Sequence, residues 1–142
     1  MLKSLHHVPI NLMDQSLNEV ARVLRPRGFL YVSEPIYGGA LNEIVRLYND
    51  EGVVRPAAQA ALNRAIEKKT NWEQIEERRF AQAVHFASFD EFLTRMLYPN
   101  FVDHKIDEEI IRRVRKAFEP HLSASGASFV RPMHVRLVQR VA

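Results

Sequence analysis

The sequence has 142 residues, of which 46% are hydrophobic and 26% are charged, and its formal net charge is +3. This composition is typical of a single globular domain and excludes disordered and fibrous proteins. The absence of cysteine excludes disulfide scaffolds, thiolate metal sites and thiol nucleophiles. Because the sequence has 20 basic and 17 acidic residues, charge alone does not indicate a nucleic-acid partner. No apolar run reaches the roughly 20 residues of a membrane span, so we expect a cytoplasmic protein.

The N-terminal third predicts a helix followed by a strand. Apolar residues recur at intervals of three and four over 10–24, which is typical of an amphipathic helix with Asn11 as its N-cap. Pro26 disfavours helical geometry at the residue before it, so this helix is expected to end there. The run Phe29-Leu30-Tyr31-Val32 is apolar at every position, which favours a strand covered by helices on both faces.

The middle of the chain predicts two further helices and a second strand. One helix is expected between Ile36 and Asp50, and another is expected to have Pro56 at its first position. In the former, helical spacing predicts that Leu41, Ile44, Leu47 and Tyr48 are buried and that Asn42, Arg46 and Asn49 are exposed. Large and small side chains alternate over 79–87, which favours a strand, and 68–72 is read as a polar connection.

The C-terminal third carries two helix-start signals and a last strand. Ser88 and Glu91 match a capping box before a short helix that runs to Tyr98, and Asp107 is the expected N-cap of a second helix. After a turn, apolar residues alternate with polar ones over 129–141, which predicts a half-exposed strand. Pro132 cannot donate to a ladder, so we expect a bulge or an edge there.

Two segments resemble class I S-adenosylmethionine-dependent methyltransferases: SLHHVP at 4–9 and ARVLRPRGFLYVSEP at 21–35. The resemblance implies that the first segment is the loop leaving the family's fourth strand and that the second is the following helix, turn and fifth strand. It implies an α/β fold, a partial Rossmann-like sheet whose strands are equivalent to the fifth, sixth and antiparallel seventh, with flanking helices. The last strand would lie between the two others, which run parallel. The segment at about 36–70 would cover the substrate.

The resemblance covers only the C-terminal half of that family. The family's glycine-rich loop and the acidic residue that holds the cofactor ribose have no counterpart, although such groups supply nucleotide affinity in these folds. The turn also departs from the family, since Arg27 stands where a glycine is usual. S-adenosylmethionine is therefore the cofactor implied by resemblance, and we expect the isolated chain not to bind it.

The candidate site residues follow from the same resemblance. Ser4, Leu5 and His6 would contact the cofactor in an intact enzyme, and His7 and Glu34 are candidates for the substrate pocket. The alternatives are that the two histidines are exposed residues near the N-terminus and that Glu34 only ends a strand. Adjacent histidines in an extended segment point to opposite sides, so no metal site is predicted.

Three functions remain open. The first is the C-terminal half of a methyltransferase, either truncated or encoded separately from its N-terminal half, and not competent for methyl transfer alone. The second is a non-enzymatic interaction or regulatory subunit that forms a homodimer, because missing strands and helices would leave apolar surface uncovered. The third and weakest is a nucleic-acid binder that uses the basic cluster at 112–116, although acidic residues flank it. Glu76 and Glu77 are assigned to the surface.

Overall fold

A computed structural model describes residues 1–100 and 103–141 of the chain, which contain both helices and strands. The structure contains the helices α1 (Met13–Val23), α2 (Ala40–Val45), α3 (Val54–Glu67), α4 (Phe89–Phe92) and α5 (Glu108–Phe118), and the strands β1 (Phe29–Pro35), β2 (Trp72–Phe86), β3 (Leu122–Ser123) and β4 (Gly126–Arg140). Short 3-10 helices occupy Leu5–His7, Ile10–Leu12 and Glu119–His121, and a π-helical turn occupies Leu93–Leu97. No helix within the described ranges is long and apolar enough to cross a membrane.

The strand order β1-β4-β2 places the C-terminal strand in the middle of the sheet, and β3 pairs with the start of β4. β1 and β4 are antiparallel, with register pairs that run from Phe29↔Gln139 to Pro35↔Met133. β2 is also antiparallel to β4, because residue 141 of the C-terminal segment bonds to Asn71 while His134 meets Glu77. β1 and β2 therefore run parallel with β4 between them, and the predicted order is confirmed.

The first of two compact units consists of Met1–Tyr37, Gly52–Phe80 and the C-terminal residues from Pro132 onward. One face of its strands packs on α1 and α3. The core residues of this unit are Leu5, Met13, Leu17, Ala21, Leu30, Val32, Ala58, Ala61, Leu62, Trp72 and Val138. Small side chains at Ala58 and Ala61 permit the close approach of α3 to its neighbours in this unit.

The second unit consists of Gly38–Glu51 and Ala81–Arg131, so the segment at 36–70 contributes residues to both units. Aromatic rings dominate its core. The buried residues are Leu41, Ile44, Val45, Phe86, Phe89, Phe92, Leu97, Val114, Phe118, Ala127 and Phe129. Their phenylalanine rings contact one another mainly in edge-to-face and tilted geometries, which aromatic quadrupoles favour.

Two of the predicted N-caps are confirmed and one is wrong, and α3 begins at Val54, two residues before the predicted start at Pro56. The Ser88 hydroxyl accepts from the N–H of Glu91, and the Asp107 carboxylate accepts from the N–H of Ile110 at 2.8 Å. Asn11 is not an N-cap, because it lies inside a 3-10 helix that leads directly into α1. Arg27 has φ of +61°, so the turn keeps a left-handed residue without a glycine.

Other differences arise from burial that the local pattern does not show. β2 begins at Trp72, seven residues before the predicted start. The prediction missed the first half of the strand because that half is exposed and carries no apolar alternation. Asn42 is buried rather than exposed, since four of the six residues of the short helix α2 are buried. Pro132 lies in the central strand rather than at an edge, one residue beyond the last pair with β1, and its carbonyl accepts from Ile36.

We expect Asp107→Ala to lower the free energy of unfolding by about 1 kcal/mol, because the first turn of α5 loses its capping acceptor. Asp107→Asn retains an acceptor at the same place and is expected to lose only a few tenths of this amount. Urea unfolding of the two variants measures the difference. Equal losses for alanine and asparagine would show that the cap contributes nothing specific.

Candidate functional site

A buried carboxylate near the end of β1 organises the candidate site. Alternation along the strand places Leu30, Val32 and Glu34 on one face, and the first two enter the core of the first unit. Glu34 is only 2% exposed. A carboxylate at such a position requires partners, because the cost of removing it from water is otherwise several kcal/mol.

The N-terminal segment supplies those partners. Leu2 forms a parallel bridge with Ser33, and the N–H of Lys3 donates to the Ser33 carbonyl at 2.8 Å. The chain then turns into the 3-10 helix Leu5–His7 above the end of β1. The backbone N–H groups of Ser4 and Leu5 donate to Oε1 of Glu34 at 3.0 and 2.7 Å. His6 Nδ1 bonds to the other carboxylate oxygen, Oε2. We call Glu34 together with Ser4, Leu5 and His6 the Glu34 clamp.

The charge on Glu34 is stabilised by the clamp. Burial by itself would raise the pKa of Glu34, but the hydrogen bonds from His6, Leu5 and Ser4 outweigh it and hold the pKa below the ordinary value. Glu34 is therefore ionised at neutral pH. Since both of its oxygens already accept hydrogen bonds, its chemical role is to position the turn at 4–7 rather than to abstract a proton.

The two histidines take different environments. His6 is buried, which is contrary to the alternative that both are exposed, and His7 is exposed. Their ring centroids lie 4.1 Å apart, so the expectation that the rings point to opposite sides is wrong. The physical reason is that this segment forms a 3-10 helix instead of an extended chain. The structure thus brings Ser4, Leu5, His6 and Glu34 together and leaves the imidazole of His7 accessible beside them.

A second polar cluster on the same sheet face was missed in the sequence. The register pairs Glu34 with His134 and Val32 with Arg136, and both β4 residues are buried rather than exposed. His134 Nε2 lies 2.5 Å from Oε1 of Glu77, which is therefore more than a surface residue. The alternation of β4 suggested a solvent-facing side, but α3 covers that side of the strand.

Amide side chains of α3 complete this second cluster. Arg136 donates to Oε1 of Gln59 at 3.2 Å and to Oδ1 of Asn63. Burial lowers the pKa of His134, although the hydrogen bond with Glu77 opposes this shift. The cluster joins α3, β2 and β4, and it supports the sheet from which Glu34 projects.

The residues present do not by themselves fit an S-adenosylmethionine site. The backbone donors of Ser4 and Leu5, which could contact such a molecule, are already bonded to Glu34. Gly38 and Gly39 both have positive φ, but they follow β1 and lead into the six-residue helix α2. The side chain most open to a ligand at the clamp is that of His7.

Comparisons with solved structures show the fold. A candidate methyltransferase from Bacillus halodurans C-125 has a TM-score of 0.59 and 13% sequence identity, and the YcgJ protein of Bacillus subtilis has a TM-score of 0.54 and 15% identity. Each comparison covers 99% of this chain and 62% of the other chain, so this chain spans less than two thirds of either protein. No family model and no curated protein matches the sequence. The chain has a methyltransferase-like mixed α/β fold.

Proposed function

We propose that this chain is the C-terminal, acceptor-side part of an S-adenosylmethionine-dependent methyltransferase and that it is inactive alone. In this proposal β1, β2 and β4 are equivalent to the fifth, sixth and seventh strands of the family's sheet. The strand order supports the assignment, because an antiparallel C-terminal strand lies between two strands that run parallel to each other. The likeness in fold to the Bacillus halodurans candidate methyltransferase supports it as well.

The Glu34 clamp is the single observation that carries this proposal. It fixes a turn beyond the carboxyl end of β1, and ligands of open α/β sheets bind beyond the carboxyl ends of the strands. The turn contains the segment 4–9 that resembles the loop after the family's fourth strand. A buried carboxylate that holds this loop through its backbone gives His7 a defined position at the ligand side.

Cofactor anchoring is assigned to a separate N-terminal half. The printed sequence has neither the glycine-rich loop nor the ribose-binding acid, and the clamp occupies the donors of Ser4 and Leu5. What remains for this part is orientation of the methyl acceptor, which contributes to catalysis by proximity. His7 and the helical segment at 36–70 are the proposed acceptor-side elements.

Titration calorimetry of the isolated chain with S-adenosylmethionine is expected to show no saturable heat in the micromolar range. Each tenfold loss of affinity needs only about 1.4 kcal/mol, so the lack of two anchor groups weakens binding by several powers of ten. Saturable binding with a dissociation constant below about 10 μM would contradict the inactive-half assignment. His7→Ala and Glu34→Gln would then be the first variants to titrate.

Co-expression tests the positive side of the proposal. The DNA upstream of the Met1 codon is expected to encode the glycine-rich loop, and the protein that carries this loop is expected to copurify with this chain and to bind the cofactor in the complex. His7→Ala is the informative variant, with exposed Asn18→Ala as its control. Upstream DNA that does not encode that loop, or a complex without cofactor binding, would refute the split-enzyme proposal.

A non-enzymatic interaction subunit is the second candidate. It is favoured by the large aromatic side chains that the first unit exposes, namely Phe29, Tyr31 and Phe80. The nucleic-acid alternative has less support, because part of the basic cluster on α5 is already engaged. Arg112 pairs with Glu109, and the guanidinium of Arg115 lies 4.1 Å from the ring centroid of Phe89. Salt-dependent retention on DNA or RNA would be its signature.

A further inference from the structure

One face of the sheet in the first unit carries exposed aromatic rings. Leu30 and Val32 of β1 point to the core with α1 and α3, so alternation places Phe29 and Tyr31 on the opposite face. Tyr31 pairs with Leu137 of β4, which shares that face. The surface on this side of the sheet is here named the open face. It is formed by Phe29, Tyr31, Glu76, Arg78, Phe80, Val135 and Leu137.

The open face is concave and mainly apolar at its centre. It contains a depression of about 740 Å³, lined by all of its members except Phe29 and additionally by Arg79. Phe29, Tyr31 and Phe80 are 55%, 46% and 47% exposed. At 150–250 Å² for a whole aromatic side chain, these three rings leave roughly 300 Å² in water. An apolar patch of this size is comparable to the largest one on a typical monomer, and such patches are often functional.

The charges on the open face allow it to bind a copy of itself. Glu76 and Arg78 lie on one face of β2 and form an ion pair with each other. In a twofold dimer the same patch occurs on both sides, so a patch of a single sign would repel itself. A patch that holds both signs can exchange partners across the axis, with Arg78 of each copy against Glu76 of the other.

We propose that the open face binds the open face of a second copy of this chain in a twofold homodimer. The six rings together supply roughly 600 Å² of the 1,200 Å² or more that a specific interface buries. Leu137 and the aliphatic stems of Arg78 and Arg79 lie beside the rings and extend the contact. This proposal is independent of the methyltransferase assignment, since it requires neither cofactor nor catalysis.

Sedimentation equilibrium of the full chain between 1 and 100 μM tests the proposal. The expected mass is twice 16.5 kDa. The double variant Tyr31→Ser with Phe80→Ser is expected to raise the dimer dissociation constant at least tenfold, because it removes two of the three central rings. Tyr98→Ser is the matched control, since Tyr98 is a 52% exposed aromatic residue outside the open face, and it is expected to leave the constant unchanged.

Reversing the charge of Glu76 or of Arg78 provides a second test of the dimer that does not depend on apolar contacts. Glu76→Arg alone is expected to weaken the dimer, and Arg78→Glu alone is expected to do the same. The two single variants mixed in equal amounts are expected to form a heterodimer more tightly than either pairs with itself. A mass of one chain at 100 μM would overturn the proposal. A dimer that tolerates the double serine variant would overturn it equally. Circular dichroism at the same concentrations verifies that each variant is folded.

Discussion

Replacing Glu34 with alanine is expected to lower the free energy of unfolding by about 3 kcal/mol. The substitution leaves the N–H groups of Ser4 and Leu5 without the carboxylate acceptor and removes one hydrogen-bond partner of His6. Each unpaired buried donor costs about 1–3 kcal/mol, and the two donors together give a loss of about 3 kcal/mol because that of Ser4 is only partly buried. Urea unfolding at pH 7 measures the loss.

Glu34→Gln separates the acceptor from the charge. Its amide oxygen can still accept from the two backbone donors, so we expect a smaller loss of about 1–2 kcal/mol. Glu19→Ala is the matched control in the same unit, because Glu19 is exposed and forms only an i,i+3 pair with Arg22. A loss for Glu34→Ala no larger than that for Glu19→Ala would show that the clamp does not hold the N-terminal turn.

The clamp also predicts a dependence of stability on pH. The pKa of Glu34 is lower in the folded chain than its ordinary value of 4.5, because the hydrogen bonds of the clamp outweigh the effect of burial. Its contribution to stability is therefore present above pH 4.5 and is lost as the pH falls through the folded-state pKa. The difference in unfolding free energy between the wild type and Glu34→Gln is expected to shrink between pH 6 and pH 3. A constant difference would contradict this assignment.

Local sequence signals predicted the structure correctly wherever a short segment determines its own conformation. The caps at Ser88 and Asp107 were predicted because each side chain bonds to a backbone group only three residues away. β1 was predicted from four consecutive apolar residues, but the expected cover on both faces is wrong, because Phe29 and Tyr31 are exposed. The first half of β2 was missed, because residues 73–80 are exposed and nothing in their order distinguishes a charged strand from a connection.

The family resemblance identified the residues of the candidate site, but nothing in the sequence predicted which of them contact one another. His6 and Glu34 are 28 positions apart, and no periodicity links them. Their bond depends on the parallel bridge of Leu2 with Ser33, which is a long-range feature of the sheet. His134 and Arg136 stand at the polar positions of the β4 alternation, and only the structure shows that α3 covers this side of the strand.

Phe118→Ala is expected to lower the free energy of unfolding by about 4 kcal/mol. The ring is fully buried in the core of the second unit, and the loss of a buried phenylalanine costs about 3–5 kcal/mol through transfer and cavity effects. Its centroid lies 4.9 Å from that of Phe92 and 5.3 Å from that of Phe89. Such ring pairs contribute beyond their buried area, so the loss is expected near the upper end of the range.

We do not expect the surrounding core to collapse into the cavity left by Phe118→Ala and thereby reduce the loss of stability. Phe86 and Phe129 also lie within ring-contact distance of Phe118, and both belong to strands of the same sheet, whose backbone cannot move inward separately. Phe118→Leu retains much of the volume, so it is expected to lose clearly less than alanine. Tyr98→Ala, at an exposed aromatic residue of the same unit, is the control and is expected to lose under about 0.5 kcal/mol. Hydrogen exchange of the α5 amides localises the effect, and unchanged protection in Phe118→Ala would mean that this ring does not hold the helix to the sheet.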